Sequence, residues 1–131
     1  MRSAHIFYLS VATVAIVAGI VFYAYWYATV SPLHISADAA RKQIADGMTI
    51  VLDVRTDPEY ALGHYDGAIH IKSDDLVTQA PGLLPLGANI IAYCNTGQRS
   101  RMAAETLKRM GYENVRYISG PYWSISSRGS N

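Results

Sequence analysis

A long apolar run opens the chain, and shorter blocks of apolar and polar residues follow it. The run from Ile6 to Val30 contains no Asp, Glu, Lys or Arg, and charged residues resume only at Asp38. About 20 apolar residues cross the hydrocarbon core of a bilayer. Aromatic residues gather near the end of the run, as in the aromatic belt at a membrane interface. The pattern predicts a transmembrane anchor with a short linker over residues 1–32 and a folded domain over 33–131.

Two other interpretations of the apolar run are a cleaved signal peptide and a buried helix. Cleavage requires small residues at both critical positions, but Trp26 and Phe22 lie two residues before the candidate sites Ala28 and Ala24. A buried helix would carry more polar positions. We therefore expect an uncleaved single-pass anchor that contacts the membrane through residues 6–30.

The orientation of this anchor is predicted from its flanking charges. Arg2 and the amino terminus precede the span, whereas the first basic residues after it are Arg41 and Lys42. The positive-inside rule then favours a cytoplasmic amino terminus and a domain on the extracytoplasmic or periplasmic side. The cytoplasmic face stays open as the alternative.

After Ser31-Pro32, short runs rich in β-branched residues alternate with helical patterns. Ser36 is a predicted helix cap, Gly47 a helix end, Pro58 the first position of a helix, and Gly111 a C-terminal cap. This alternation predicts an α/β domain with a mostly parallel sheet and helices on both faces. We expect strands over 49–54, 68–71, 89–93 and 114–118, helices over 37–45, from 57 and over 98–110, and a loop over 81–87.

Charge and cysteine content exclude several classes of function. All 10 acidic residues and all but one of the 11 Lys and Arg residues lie from Asp38 onward, so the domain is balanced and no nucleic-acid partner is expected. A single cysteine excludes an internal disulfide and a cysteine-cluster metal site. Among the histidines, only His64 and His70 form even a weak ligand pair. We expect neither a metal nor a cofactor.

The one cysteine, Cys94, lies between a predicted strand and a predicted helix, in the stretch YCNTGQRS. Ligand sites of open α/β sheets lie where strands end, and the free N–H groups and dipole of a helix N-terminus attract anions. Gly97 permits positive φ, and Arg99 supplies a permanent cation. Such surroundings favour a thiolate nucleophile. A lone cysteine is otherwise often a small buried hydrophobe, but the spacing to Gly97 and Arg99 favours the nucleophile.

The stretch CNTGQRS resembles the Cys-x-x-Gly-x-Arg-Ser loop of single-domain rhodaneses, the thiosulfate:acceptor sulfurtransferases. Two further segments resemble signatures of that family in the same order: VLDVRTDPEYALGHYDGAIHI over 51–71 and GYENVRYISG over 111–120. The resemblance covers about 34–125. It implies a rhodanese-like three-layer domain behind the anchor.

This resemblance implies a sulfur relay through a persulfide on Cys94. The donor would be thiosulfate or another persulfide or polysulfide, and the acceptor cyanide, a small thiol or a protein thiol. Because the acceptor brings its own nucleophile, one cysteine suffices, whereas a disulfide oxidoreductase would need a second. Asp53, Arg55 and His64 would support the site structurally. The expected substrate-binding residues are Asn95, Thr96, Gly97, Gln98, Arg99 and Ser100.

The sequence departs from the family pattern at two places. Asn95 stands where the family often has Arg or Lys, which weakens the case for thiosulfate as the natural donor. Gly120-Pro121 replaces a Gly-Gly pair and Trp123 comes early, so the last helix is expected to be short or displaced.

Two rival functions are a phosphatase on this scaffold and a non-catalytic binding module. A phosphatase would have Cys-x5-Arg, a loop one residue longer than the Cys-x4-Arg of this sequence. A non-catalytic binding module usually loses the cysteine or alters the loop.

Overall fold

Four parallel strands form the central sheet of the computed structural model, which describes residues 1–126. Their spatial order is β2-β1-β3-β4. The strand β3 is buried at every position, and β1 at all but its first, which explains their continuous apolar sequence. The α/β class is confirmed. The strands are β1 (Ile50–Asp53), β2 (Ile69–His70), β3 (Ile90–Tyr93) and β4 (Val115–Tyr117).

Helices cover both faces of this sheet. Alternate strand residues point to opposite faces, so Leu52 and Ile90 join one buried cluster while Val51 and Ile91 join another. The last residues of the predicted domain, 127–131, lie outside the described part of the chain. The domain helices are α2 (Ala37–Ile44), α3 (Asp57–Leu62), α4 (Leu76–Leu83) and α5 (Gln98–Arg109), with short 3-10 turns at Ser73–Asp75 and Tyr122–Ser124.

The helix ends follow the chemistry of their flanking residues. The Ser36 hydroxyl accepts the N–H of Ala39 at 3.1 Å, so the predicted cap of α2 is confirmed. Gly111 adopts φ +101° just after α5, as its C-terminal position predicts. Two boundaries differ from prediction: α2 ends at Ile44, before Gly47, and Pro58 is the second residue of α3 because Asp57 is the first.

The predicted loop over 81–87 is wrong in its first half, because α4 extends through Leu83. Leu76, Ala80 and Leu84 repeat every fourth residue and are all buried, which holds this segment helical against the sheet. Pro81 is tolerated in the last turns, and the chain leaves the helix at Leu84. Pro81 and Gly82 predict a loop, but the burial of neighbouring residues, which is a tertiary effect, outweighs this local preference.

The amino-terminal helix α1 (Arg2–Thr29) has 28 residues and is long and apolar enough to cross a membrane. Its C-terminal end packs against the domain. The Gln98 side chain donates to the Ala24 carbonyl at 3.3 Å, and the Arg101 guanidinium lies 4.0 Å from the centre of the Tyr27 ring. Ala28 is only 1% exposed. The last turns of α1 are therefore part of the domain's packing.

The segment after α1 continues as an extended strip along the edge of β4. His34 forms a parallel bridge with Tyr117, whose N–H donates to the Leu33 carbonyl at 3.0 Å. The Ile35 N–H in turn donates to the Tyr117 carbonyl at 3.0 Å. Because these hydrogen bonds begin three residues after Val30, the helix joins the sheet without a long free tether.

Candidate active site

Cys94 follows β3 directly, at the carboxyl edge of the sheet. Its side chain is buried, with 1% of the residue surface exposed. The Gly97 N–H donates to Sγ at 3.1 Å, and the Ser100 Oγ lies 3.4 Å from the same sulfur. Ser100 also lies 3.0 Å from the Ile118 carbonyl, which fixes its hydroxyl beside the thiol. The sulfur therefore faces donors from the first turn of α5.

The pKa of the Cys94 thiol is set by two opposing effects. Burial alone would raise the pKa, because a low-dielectric environment disfavours the charged thiolate. Hydrogen bonds from the Ser100 hydroxyl and from the backbone N–H groups of Ser100, Gly97 and Thr96 outweigh burial, so the pKa is lowered. This is the direction expected for a cysteine at a helix N-terminus.

Gly97 provides the turn that brings these N–H groups together. Its φ of +103° confirms the positive φ predicted from the sequence, a conformation that L side chains rarely adopt. A Cβ at this position would lie 2.8 Å from the Ser119 Cα and 3.0 Å from the Ala28 Cβ. The backbone of the loop thus lies directly against both β4's following segment and α1.

Glu59 is a residue of the site that the sequence reasoning did not single out. Its Oε2 accepts from Arg99 Nη1 at 2.7 Å, and its Oε1 accepts from Arg99 Nη2 at 3.0 Å and from Asn95 Nδ2 at 3.1 Å. The Thr56 N–H donates to Oε2 at 2.9 Å. The hydrogen bond from Arg99 is the main cause that lowers the pKa of Glu59 to about 2. One carboxylate therefore orients two loop residues predicted to bind substrate.

The sequence around Glu59 predicts a helix start, not a contact with the cysteine loop. Thr56-x-x-Glu59 is a capping box, in which each side chain binds the other residue's backbone N–H at the start of α3. The sequence thus places Glu59 at a helix start. Its contact with Arg99 joins residues 40 positions apart and depends on how α3 packs beside the loop.

The charge of Arg99 is influenced by Glu59 and by Cys94. Its pKa is raised mainly by the hydrogen bond to Glu59 and further by the nearby Cys94. A negative charge on Cys94 therefore also favours the charged guanidinium. Part of its positive charge is balanced by Glu59, however, so the cradle is less cationic than a free arginine would make it.

The predicted supporting residues Asp53 and Arg55 form a buried ion pair beneath the loop. Arg55 Nη2 lies 2.7 Å from Asp53 Oδ2 and donates to the Gly63 carbonyl at 2.7 Å. The Tyr93 hydroxyl also donates to Asp53. Burial raises the pKa of Tyr93, as does this hydrogen bond. Since Tyr93 precedes Cys94, the network connects the end of β1 to the start of the cysteine loop.

His64 lies away from the sulfur, on an exposed stack of rings. Its ring is 3.7 Å from the Tyr60 ring and parallel to it, and its Nδ1 is 2.9 Å from the Tyr60 carbonyl. His70 stacks on the opposite face of Tyr60 at 4.2 Å. The tyrosine ring separates the two imidazoles, which does not suit a shared metal ion. Residues 1–126 contain no group of three potential metal ligands.

The remaining loop residues face outward or towards α1. The Thr96 hydroxyl, which is exposed, donates to the side-chain oxygen of Gln98, and Gln98 reaches the Ala24 carbonyl. A cavity of about 410 Å³ lies beside the loop, and Arg99 lines it together with Lys72 and Met102. The structure therefore places Gly97 and Ser100 against the Cys94 sulfur, Thr96 at the surface, and Gln98 in contact with α1.

The site thus consists of a buried cysteine whose sulfur accepts a backbone N–H, at the carboxyl edge of a parallel α/β sheet. Comparison with known families agrees with this geometry. The rhodanese-like domain family matches residues 36–127. The chain belongs to this family.

Solved structures with the same fold include several rhodanese-like proteins. The Alr3790 protein of Anabaena sp. has 25% sequence identity and a TM-score of 0.64, over 74% of this chain and 88% of its own. A rhodanese-related protein of Thermoplasma volcanium has 26% identity and a TM-score of 0.61, over 75% and 94%. The human single-domain sulfurtransferase TSTD1, at 24% identity and a TM-score of 0.62 over 76% and 100%, shares the fold.

The curated relatives that match are larger proteins. The tRNA uridine(34) hydroxylase of Yersinia pestis (strain Pestoides F) is 30% identical over 92 residues, which cover 66% of this chain and 26% of the relative. That of Yersinia enterocolitica matches to the same extent. The chain thus spans about a quarter of the length of these relatives.

Proposed function

We propose that this protein is a sulfurtransferase that carries sulfane sulfur as a persulfide on Cys94. The observation that carries the proposal is the environment of the Cys94 sulfur. Hydrogen bonds from the first turn of α5 lower its pKa in spite of burial. A preformed thiolate needs no general base, and the residues around the sulfur supply none.

The proposed cycle has two displacements at sulfur. The Cys94 thiolate attacks the sulfane sulfur of the donor, the donor's S–S bond breaks, and the leaving group departs with the bonding electron pair, as sulfite does from thiosulfate. The persulfide anion then lies where the Gly97 and Ser100 N–H groups converge. A nucleophilic acceptor attacks the terminal sulfur, and Cys94 leaves as a thiolate. The relay needs no oxidant, reductant or cofactor.

The charge around the loop favours a singly charged donor over thiosulfate. Asn95 contributes an amide where the family often has a cation, and Glu59 balances part of the Arg99 charge. A dianion such as thiosulfate gains less from this cradle than an organic persulfide, whose sulfane group carries a single negative charge. We therefore propose an organic persulfide as the preferred donor, with thiosulfate and dianionic polysulfides accepted more slowly.

We also propose that α1 anchors the protein in a membrane by a single span, with residues 1–32 as anchor and linker and 33–131 as the catalytic domain. The length and hydropathy of α1 support the span. Its flanking charges support an extracytoplasmic domain.

A steady-state assay tests the proposed activity. We expect the purified full-length protein to form thiocyanate from cyanide and an organic persulfide faster than the uncatalysed reaction does, and more slowly from thiosulfate, and we expect Cys94→Ser to show only the uncatalysed rate. Hydrolysis of a phosphotyrosine analogue without thiocyanate formation would establish the phosphatase instead. A protein inactive in both assays would support the non-catalytic binding module.

A further inference from the structure

The end of α1 lies directly against the cysteine loop. Gly97 lies between the Cys94 sulfur and α1. Its N–H donates to the Cys94 sulfur, and a Cβ added at Gly97 would lie only 3.0 Å from the Ala28 Cβ. Gln98 donates to the Ala24 carbonyl. A single residue thus separates the reactive sulfur from the last turns of the apolar helix.

The position of the domain relative to α1 is fixed by contacts on both sides of Val30. Before it, Arg101 donates to the Tyr27 carbonyl and stacks on the Tyr27 ring, and the Tyr117 hydroxyl donates to the Ala28 carbonyl. After it, residues 33–35 pair with β4. The helix and the domain are therefore packed against each other, with contacts on both sides of Val30.

These contacts also set the depth at which the helix can lie in a bilayer. The polar side chains of Gln98 and Arg101 reach α1 at Ala24 and Tyr27, and they cannot enter the hydrocarbon region without a large cost. The hydrocarbon must therefore end near Tyr23. About 20 residues counted back from there reach Ala4, just after Arg2, so the span has the required length. The contacts at Ala24 and Tyr27 then lie at the headgroup level.

From this geometry we propose that α1 holds the Cys94 loop at the membrane surface and that the physiological sulfur acceptor is a small amphiphilic thiol residing in that surface. This inference rests on the proposed sulfurtransferase activity. A thiol whose chain is anchored in the bilayer would meet the loop without leaving the membrane. Because Cys94 is only 1% exposed, a slender small-molecule thiol fits the approach better than a cysteine on a folded protein.

The transfer step is balanced without further reagents. The acceptor thiolate attacks the terminal sulfur of the Cys94 persulfide, a new S–S bond forms on the acceptor, and the bond to Cys94 breaks. Cys94 keeps the electron pair as a thiolate, and the amphiphile leaves as a persulfide. One sulfane sulfur has changed carrier: the Cys94 sulfur is reduced to a thiolate as the acceptor sulfur is oxidised to the persulfide level, so the step needs no outside oxidant or reductant.

The test uses the full chain in phospholipid nanodiscs, with Cys94 first loaded by polysulfide. Two acceptors are compared in single turnovers at the same bulk concentration: a phospholipid with a thiol on its headgroup, and 2-mercaptoethanol. Mass spectrometry follows loss of the Cys94 persulfide and gain of the acceptor persulfide. We expect the lipid thiol to react at least tenfold faster.

Concentration in the bilayer could by itself favour the lipid thiol, so two variants disturb the fixed pose without touching the loop. One carries ten Gly and Ser residues inserted between Val30 and Ser31, and the other is Arg101→Ala. Glu105→Ala is the matched control, because it removes the other ion-pair partner of Arg101 but no contact with α1. We expect the preference for the lipid thiol to fall severalfold in the first two variants and to persist in the control.

Equal rates with both acceptors in the wild-type protein would overturn this inference while leaving the proposed activity intact, and so would a preference that the insertion and Arg101→Ala both leave unchanged. Faster transfer to a transmembrane peptide with a cysteine at the interface would also overturn it, in favour of a protein acceptor. If no sulfane donor loads sulfur on Cys94, the proposed function fails and this inference with it.

Discussion

At the scale of single residues, hydrogen-bond donors decide the state of the Cys94 sulfur. Burial raises the pKa of the thiol, yet the Ser100 hydroxyl and three backbone N–H groups reverse that effect. The side chain of Ser100 is the one donor of this set that a substitution can remove without changing the backbone. Its contribution is therefore open to direct measurement.

Ser100→Ala is expected to raise the pKa of Cys94, because the substitution removes the hydroxyl donor while keeping the backbone N–H. Alkylation of the thiol by iodoacetamide, followed over pH, should shift to higher pH, and sulfur loading at pH 7 should slow severalfold. Ser126→Ala is a suitable control, since that hydroxyl binds the Tyr122 carbonyl instead. An unchanged alkylation profile would show that the backbone alone holds the thiolate.

Glu59 gives a prediction about stability and pH. Its pKa is lowered from 4.5 to about 2, so its ion pair with Arg99 stabilises the folded protein above about pH 4.5 and is lost as the pH falls towards 2. Both side chains are about one-third exposed, which limits the contribution at neutral pH to about 1 kcal/mol. Urea unfolding of the wild type and Glu59→Gln in micelles should differ by this amount at pH 7 and converge near pH 2. A difference that does not vary with pH would contradict the assignment.

At the scale of elements, the site depends on how strand ends and helix starts meet. The Asp53 and Arg55 pair joins the end of β1 to the segment before β2 and, through Tyr93, to β3. Glu59 then connects the start of α3 to the loop before α5. The cysteine loop is thus held from two sides by residues that precede it by 35 positions or more in the chain.

Arg55→Ala should destabilise the domain by about 3–5 kcal/mol, because it leaves the buried Asp53 carboxylate without its charged partner. Lys72→Ala, which breaks an exposed pair with Asp57, is the matched comparison and should cost far less, because solvent screens an exposed ion pair. Thermal or urea unfolding of the two variants measures the difference. Similar losses for both would mean that the buried pair contributes no more than a surface one.

The sequence predicted the elements whose signals are local. The strands β1 and β3 follow from short apolar runs, α2 from its Ser36 cap, and the turn at Gly97 from its glycine between strand and helix. The extent of α4 was not predictable in this way, because burial of Leu76 and Ala80 outweighs the loop-forming character of Pro81. Local propensity is a weak guide wherever tertiary packing opposes it.

In the candidate site, too, local features could be predicted from the sequence and long-range contacts could not. Spacing alone identified Cys94, Gly97 and Arg99, because the chemistry of a strand–loop–helix turn is local. The bond between Glu59 and Arg99 and the contact of Ala28 with Gly97 join distant parts of the chain. An apolar run also gives no indication of which residues pack on a domain, so the contacts of Ala24 and Ala28 could not be predicted.

At the scale of the whole molecule, the apolar helix and the rhodanese-like domain are packed into one unit. The end of α1 covers part of the loop, and the strip after it extends the sheet beside β4. If the helix were removed by cleavage, the domain would lose the contacts of Arg101 and Gly97 with α1 and would expose the surface they cover.

The anchor can be tested by fractionation. We expect the full-length protein to stay with membranes after an alkaline carbonate wash and to keep the mass of the intact chain, because an apolar span is held by its transfer free energy. Recovery in the soluble fraction at unchanged mass would contradict the anchor. A soluble product that lacks the first residues would indicate a cleaved signal peptide.

The central claim is that Cys94 carries sulfane sulfur, and intact-protein mass spectrometry tests it most directly. After incubation with polysulfide or thiosulfate and removal of the donor, we expect a mass gain of about 32 Da, one sulfur atom, located on the Cys94 peptide. Cyanide should remove the added mass, and Cys94→Ser should never acquire it. Absence of the adduct with every sulfane donor, from a folded protein whose Cys94 still reacts with iodoacetamide, would contradict the account.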